Sequence, residues 1–230
     1  MIFPYGDDQV KDGHFPLFSY ALIALNIAVF LYETSLPPQA LEIFFLRYGA
    51  TPDAILHGHQ LYSLFTSMFL HGGWMHLIGN MVFLWIFADN IEAVVGNVRF
   101  LIFYFIGGLA AHALHIYFNP GSDIPTVGAS GAISAVMGAY LLLFPGSKIR
   151  MLFFILPFRV PAFLFLLFWV FQQWLSGLAS LKVDTAESNG VAWWAHIGGF
   201  AFGVLAGVRF RIILRHRRAG YPAPQRGRYR

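Results

Sequence analysis

Six stretches of this chain, 15–32, 72–88, 100–118, 124–145, 160–178 and 191–208, are long and continuously apolar. A helix needs about 20 such residues to cross the roughly 30 Å hydrocarbon core of a bilayer, and each stretch meets or approaches that length. Between them lie breaks rich in Pro, Gly, Asp and Asn, such as "NPGSDIP" at 119–125. The composition agrees, with 57% hydrophobic and only 11% charged residues, where soluble domains carry roughly a quarter charged. The chain therefore reads as an all-α membrane protein, a bundle of six transmembrane helices whose immediate partner is the lipid bilayer.

Lys and Arg collect on the cytoplasmic side of membrane proteins, which allows the bundle to be oriented. With both termini inside, the inner side holds Lys11, Arg99, Lys148, Arg150, Arg159 and the eight arginines from Arg209 onward, leaving Arg47 and Lys182 outside. Thirteen against two predicts an N-in, C-in protein with both termini cytoplasmic. The same clustering of basic residues at the C-terminus explains the net charge of +4 without a nucleic-acid partner. The organisation expected is a cytoplasmic N-terminal segment at 1–14, a membrane domain at 15–214 and a basic, disordered cytoplasmic tail at 215–230. The N-terminal segment is acidic where a signal peptide is basic, so the first apolar stretch is expected to be retained. The loop at 33–71 is read as a structured outer loop at the interface, and "MLFFILPF" at 151–158 as an inner interfacial segment or an extension of the fifth helix. No cysteine is present, which excludes disulfide and thiolate chemistry.

In this orientation the second, fourth and sixth helices all start on the outer side. Ser130 follows Pro125 by five residues and His196 follows Val191 by five, so at about 1.5 Å per residue each lies roughly 7 to 8 Å below the outer boundary. His76 and Asn80 stand four apart, hence on one face, in the first turns of the second helix. Polar groups inside a bilayer are costly and face a cavity or one another. A lone serine there ordinarily bonds its own backbone or eases packing, and a lone histidine is ordinarily interfacial. At matched depth the two point to a nucleophile and its general base. Gly128 and Gly131 flank the serine and let a backbone amide approach an oxyanion. Small residues recur at every fourth position in Gly131, Ala135 and Ala139 and in Gly199, Gly203 and Gly207, the pattern that lets two helices pack closely. No carboxylate lies in the outer half of any stretch, so the chemistry is a Ser-His dyad, with His76 and Asn80 suited to donate to an oxyanion.

These residues fall in "HGGWMHLIGN" at 71–80, "GASG" at 128–131 and "AHIGG" at 195–199, and over about residues 15 to 210 the chain resembles the rhomboid intramembrane serine proteases. The resemblance implies a six-helix rhomboid-like bundle, Ser130 as nucleophile, His196 as general base, and His76 and Asn80 with the Ser130 amide as oxyanion hole. His71 would be structural or water-handling. It further implies single-pass transmembrane protein substrates, entering between the second and fifth helices and cut in or near the outer leaflet of the cell membrane, small residues at the cleavage position, and neither cofactor nor metal. Two departures stand out. Tyr62-Ser63 occupies the place of a Trp-Arg pair common in the first loop, and Ser134 stands where some members stack an aromatic ring on the histidine.

The nearest rival is a catalytically silent rhomboid-like escort factor that binds membrane proteins, which would be expected to lack Ser130 or His196. A metalloprotease could draw on His71, His76, His112, His115 and His196, but the H-E-x-x-H pattern is absent, and His112 and His115 read as interhelical hydrogen-bonders. A transporter would call for intramembrane charge or broken helix pairs.

Overall fold

The computed structural model describes residues 2–8, 14–181 and 191–220, with the backbone alone described for 216–220. Helix α1 is Leu17–Ser35; the first loop folds into α2 (Pro38–Tyr48), α3 (Pro52–Leu56), α4 (Ser63–Thr66) and a 3-10 turn at Ser67–Phe69. Then follow α5 (Trp74–Val95), α6 (Asn97–Phe118), α7 (Ser130–Leu143), α8 (Ala162–Ser180) and α9 (Trp193–Gly220). Five of these, α1, α5, α6, α8 and α9, are long and apolar enough to cross a membrane. The fourth apolar stretch behaves differently. Its helix, α7, has 14 residues, about 21 Å, which falls short of the hydrocarbon thickness.

The missing length is taken up by extended chain. Thr126 pairs with Ala50 through two backbone hydrogen bonds of 2.9 Å, and the Gly128 amide donates to Ser67 O at 2.8 Å. The first loop thus clasps the entry to α7 and delays its first turn to Ser130.

Helix α7 lies at the centre, with Gly131 to Tyr140 buried without interruption. Its closest partner is α9, and small residues make the approach possible. A Cβ on Gly199 would lie 2.0 Å from Gly131 O, and one on Gly203 would lie 1.9 Å from Ala135 O, distances no side chain tolerates. Helices α5 and α6 flank α7, while α8 packs chiefly on α9 and exposes most of its other face.

Two features depart from the all-α expectation and from the segment boundaries. A three-stranded antiparallel sheet of order β1-β2-β3 joins β1 (Ile2–Gly6), β2 (Lys148–Phe153) and β3 (Leu156–Pro161). The segment expected to lie at the interface or lengthen the fifth helix is thus a β-hairpin, because Pro157 and Pro161 cannot continue a helix interior. Phe154 turns the chain with φ of +53°, and alternate residues Ile149 and Met151 are buried, the two-residue period of a strand. The boundary drawn at 215 falls inside α9, which runs to Gly220; residues 221–230 of the expected tail, and Lys11 and Lys182 of the charge count, lie outside the described residues.

Buried charge is met by hydrogen bonds. The Glu92 carboxylate, fully buried at the end of α5, accepts from the amides of Phe18 (2.9 Å) and Ser19 (2.8 Å) and from Ser19 Oγ (2.6 Å). It caps the first turn of α1, whose own N-cap residue, Pro16, offers no side-chain bond.

Candidate functional site

Ser130 is the first residue of α7. The preceding Gly128 has φ of +125°, and a Cβ there would sit 2.7 Å from His76 Nε2, so conformation and space both require glycine. The turn directs Ser130 Oγ toward α9, where it lies 2.8 Å from His196 Nε2, within hydrogen-bond reach. The residues are 66 apart in sequence and meet because the glycine seam draws the two helices together.

His76 and Asn80, from the first two turns of α5, line the same cavity of about 690 Å³ as Ser130 and His196. The Gly72 amide donates to His76 Nδ1 at 3.4 Å, which leaves the ring hydrogen on Nε2. Asn80 is 7% exposed, yet its Nδ2 has no hydrogen-bond partner. An unpaired buried donor costs about 1–3 kcal/mol, a cost relieved when an acceptor enters the cavity. No side chain caps the α7 N-terminus, so the partial positive charge of its first turn is left uncompensated beside Ser130.

The four residues expected to form the site are therefore brought together. His71 is buried beside Phe30 and His76, its ring centroids 6.4 and 5.1 Å from theirs. Burial, reinforced by the neighbouring His76, pulls its pKa down to about 4, so it is neutral near pH 7. Its backbone amide donates to the buried Glu33 carboxylate, 3.3 Å from each oxygen. His112 Nε2 meets Ser67 Oγ at 3.1 Å and His115 Nε2 meets Thr126 Oγ1 at 3.0 Å. His115 braces the segment that leads to Ser130, and His112 the turn whose Ser67 carbonyl holds the Gly128 amide.

The two departures have structural replacements. Tyr62 donates through its hydroxyl to Arg47 O (3.1 Å) and Thr66 Oγ1 to Tyr48 O (2.7 Å), tying the first loop together. Ser134 bonds back to Ser130 O at 2.6 Å, and the imidazole instead meets Trp169 (centroids 5.8 Å apart, 38° between planes) and Trp193 (6.3 Å, 89°). One contact has no counterpart in the sequence reading: His196 Nδ1 lies 2.7 Å from Gln173 Oε1 of α8. Its only signal was an amide in an apolar helix, one turn beyond Trp169.

Comparison with known proteins fits this geometry. The model of the Rhomboid domain matches residues 58–212. The chain belongs to the rhomboid family. Its relatives include RHOMBOID-like protein 1 of Arabidopsis thaliana, 31% identical over 74% of this chain and 41% of that protein. Rhomboid protease GluP of Bacillus subtilis is 33% identical over 55% of this chain and 24% of its own length. Rhomboid protein 1, mitochondrial, of Saccharomyces cerevisiae is 28% identical over 82% and 51%. This rhomboid thus spans between a quarter and about half the length of these relatives. It is a multi-pass membrane protein by its apolar helices and its family.

Proposed function

We propose that this rhomboid is an intramembrane serine endopeptidase of the cell membrane, with both termini cytoplasmic, that cleaves single-pass transmembrane proteins in or near the outer leaflet. The observation that carries the reading is the 2.8 Å bond between Ser130 Oγ and His196 Nε2 on the wall of a cavity that also holds His76 and Asn80.

A neutral serine hydroxyl is a weak nucleophile, so it must be activated by a neighbour. His196 Nε2 takes the Ser130 proton as Oγ bonds to the peptide carbonyl carbon. The carbonyl oxygen becomes an oxyanion, and His76 Nε2–H, Asn80 Nδ2 and the Ser130 amide donate to it. Collapse breaks the C–N bond, and Nε2 returns its proton to the leaving amine. Water then attacks the acyl-enzyme with His196 again as base, and Ser130 is regenerated. The cycle uses neither metal nor cofactor.

The test is cleavage of a single-pass transmembrane substrate by the purified full chain in liposomes. Wild type yields two fragments and is labelled by a fluorophosphonate; Ser130→Ala and His196→Ala yield none, and Ser130→Ala takes no label. Cleavage by Ser130→Ala at the wild-type rate overturns the reading. Substrate binding without cleavage by wild type would instead favour the escort role.

A further inference from the structure

A Ser-His dyad leaves one question of proton bookkeeping open. Nε2 of His196 accepts from Ser130 only if the ring hydrogen is on Nδ1. In soluble serine hydrolases a carboxylate fixes that arrangement. Here the group facing Nδ1 is the Gln173 amide, with Oε1 at 2.7 Å.

We propose that Gln173 is the positioning residue of the dyad, the uncharged third member that holds His196 in the tautomer and orientation that Ser130 requires. This rests on the dyad reading above.

Three observations carry it. First, the contacts form a line from Gln173 Oε1 through Nδ1 and Nε2 to Ser130 Oγ, with steps of 2.7 and 2.8 Å. Second, Gln173 is buried on the face of α8 that also carries Ala162, Leu166 and Gly177. An amide placed among apolar helices is costly unless bonded, and its neighbour Gln172 is exposed. Third, the rest of the clamp is aromatic. Trp169, one turn before Gln173, and Trp193 approach the imidazole at different angles, so the amide sets the ring's hydrogen bond while the indoles limit its tilt.

The choice of an amide follows from the surroundings. A carboxylate at this depth would be a buried anion, costly to desolvate and paired only while the ring is protonated. An amide oxygen bonds the neutral ring at little desolvation cost. When the ring takes the Ser130 proton, the same bond becomes charge-assisted and strengthens, by roughly twofold for such bonds. The interaction is thus worth more after proton transfer than before it, the condition for accelerating the step.

The experiment compares wild type, Gln173→Leu, Gln173→Glu and Gln172→Leu in the liposome assay, with Ser130→Ala and His196→Ala beside them. Gln173→Leu removes the acceptor at similar volume with a residue favoured in membranes. It is expected to lower kcat by about 10- to 100-fold, by analogy with the loss of a partner that orients a metal-ligating histidine. KM and unfolding temperature should stay near wild type. Gln173→Glu supplies an acceptor that favours the imidazolium, so the acidic limb of its pH-rate profile moves to higher pH and activity recovers above that limb. Gln172→Leu behaves as wild type. A wild-type kcat in Gln173→Leu, or an unmoved acidic limb in Gln173→Glu, overturns the proposal. If Ser130→Ala and His196→Ala stay inactive in that case, only the role of Gln173 fails; if they cleave, the dyad itself fails.

Discussion

The two ends of α7 carry polar clusters of opposite character. At its start, Ser130 opens on a cavity of about 690 Å³, the helix has no side-chain cap, and the Asn80 amide has a donor with nothing to bind. Near its end, the Tyr140 hydroxyl donates to Asp7 Oδ2, which also accepts from Asn90 Nδ2 at 3.0 Å. β1, which leads into Asp7, pairs with β2 over that end. Polar groups at both ends are buried in an apolar bundle, so burial alone does not mark a site. Leftover hydrogen-bonding capacity beside open space does. The cluster around Asp7 closes its bonds among Asp7, Tyr140 and Asn90 and fastens the N-terminal strand; the one at Ser130 keeps a donor in reserve.

That contrast breaks first at Asn80. Asn80→Ala removes a donor with no ground-state partner, so it is expected to cut kcat by about 10²- to 10³-fold with unchanged KM and an unfolding temperature no lower than that of wild type. A large fall in stability with intact kcat would make Asn80 structural and erase the difference between the ends. Glu92 is the opposite case. Glu92→Ala strands the Phe18 and Ser19 donors, and at about 1–3 kcal/mol for a stranded buried group it should cost roughly 2–3 kcal/mol in unfolding in micelles. Turnover per folded molecule should be kept. Tyr140→Phe, which deletes one bond to Asp7, should cost about 1 kcal/mol in the same measurement and leave cleavage untouched.

How much of this was legible in sequence depended on whether a residue's role repeats along the chain. The α7–α9 seam was readable because Gly131, Ala135, Gly199 and Gly203 recur at helical spacing, and the close approach they permit is what brings Ser130 to His196. The depth of Ser130 was misread in its origin. Counting from Pro125 treats 125–129 as helix, whereas Thr126 pairs with Ala50 and the helix begins at Ser130. The contact between Ser130 and His196 does not depend on that count, because the two side chains meet directly at 2.8 Å. The hairpin was missed because an apolar run was judged by length, although Pro157 and Pro161 argued against helix. Gln173 was missed for a different reason. A search for a third member among carboxylates passes over an amide, and two adjacent glutamines, Gln172 and Gln173, have no period to say which one faces the bundle.

The smallest effect expected is in the pH dependence of the cluster around Asp7. Burial lifts the Asp7 carboxyl from its usual 3.8 to about 6, against the hydrogen bond from Tyr140, with Asp8 adding to the rise and Arg150 and Asn90 opposing it. Asp89 lies close as well, its Oδ1 accepting from Asn90 Nδ2 at 2.9 Å. Between about pH 4 and pH 6 the folded chain therefore binds more protons at Asp7 than the unfolded chain does, and stability falls as pH rises through that window. Asp7→Asn keeps a neutral side chain at every pH and should flatten this part of the profile. The readout is the unfolding midpoint of both proteins in micelles at pH 4, 5, 6 and 7. Parallel profiles would mean that Asp7 is already charged at pH 4, and that the bonds from Tyr140 and Asn90 outweigh its burial.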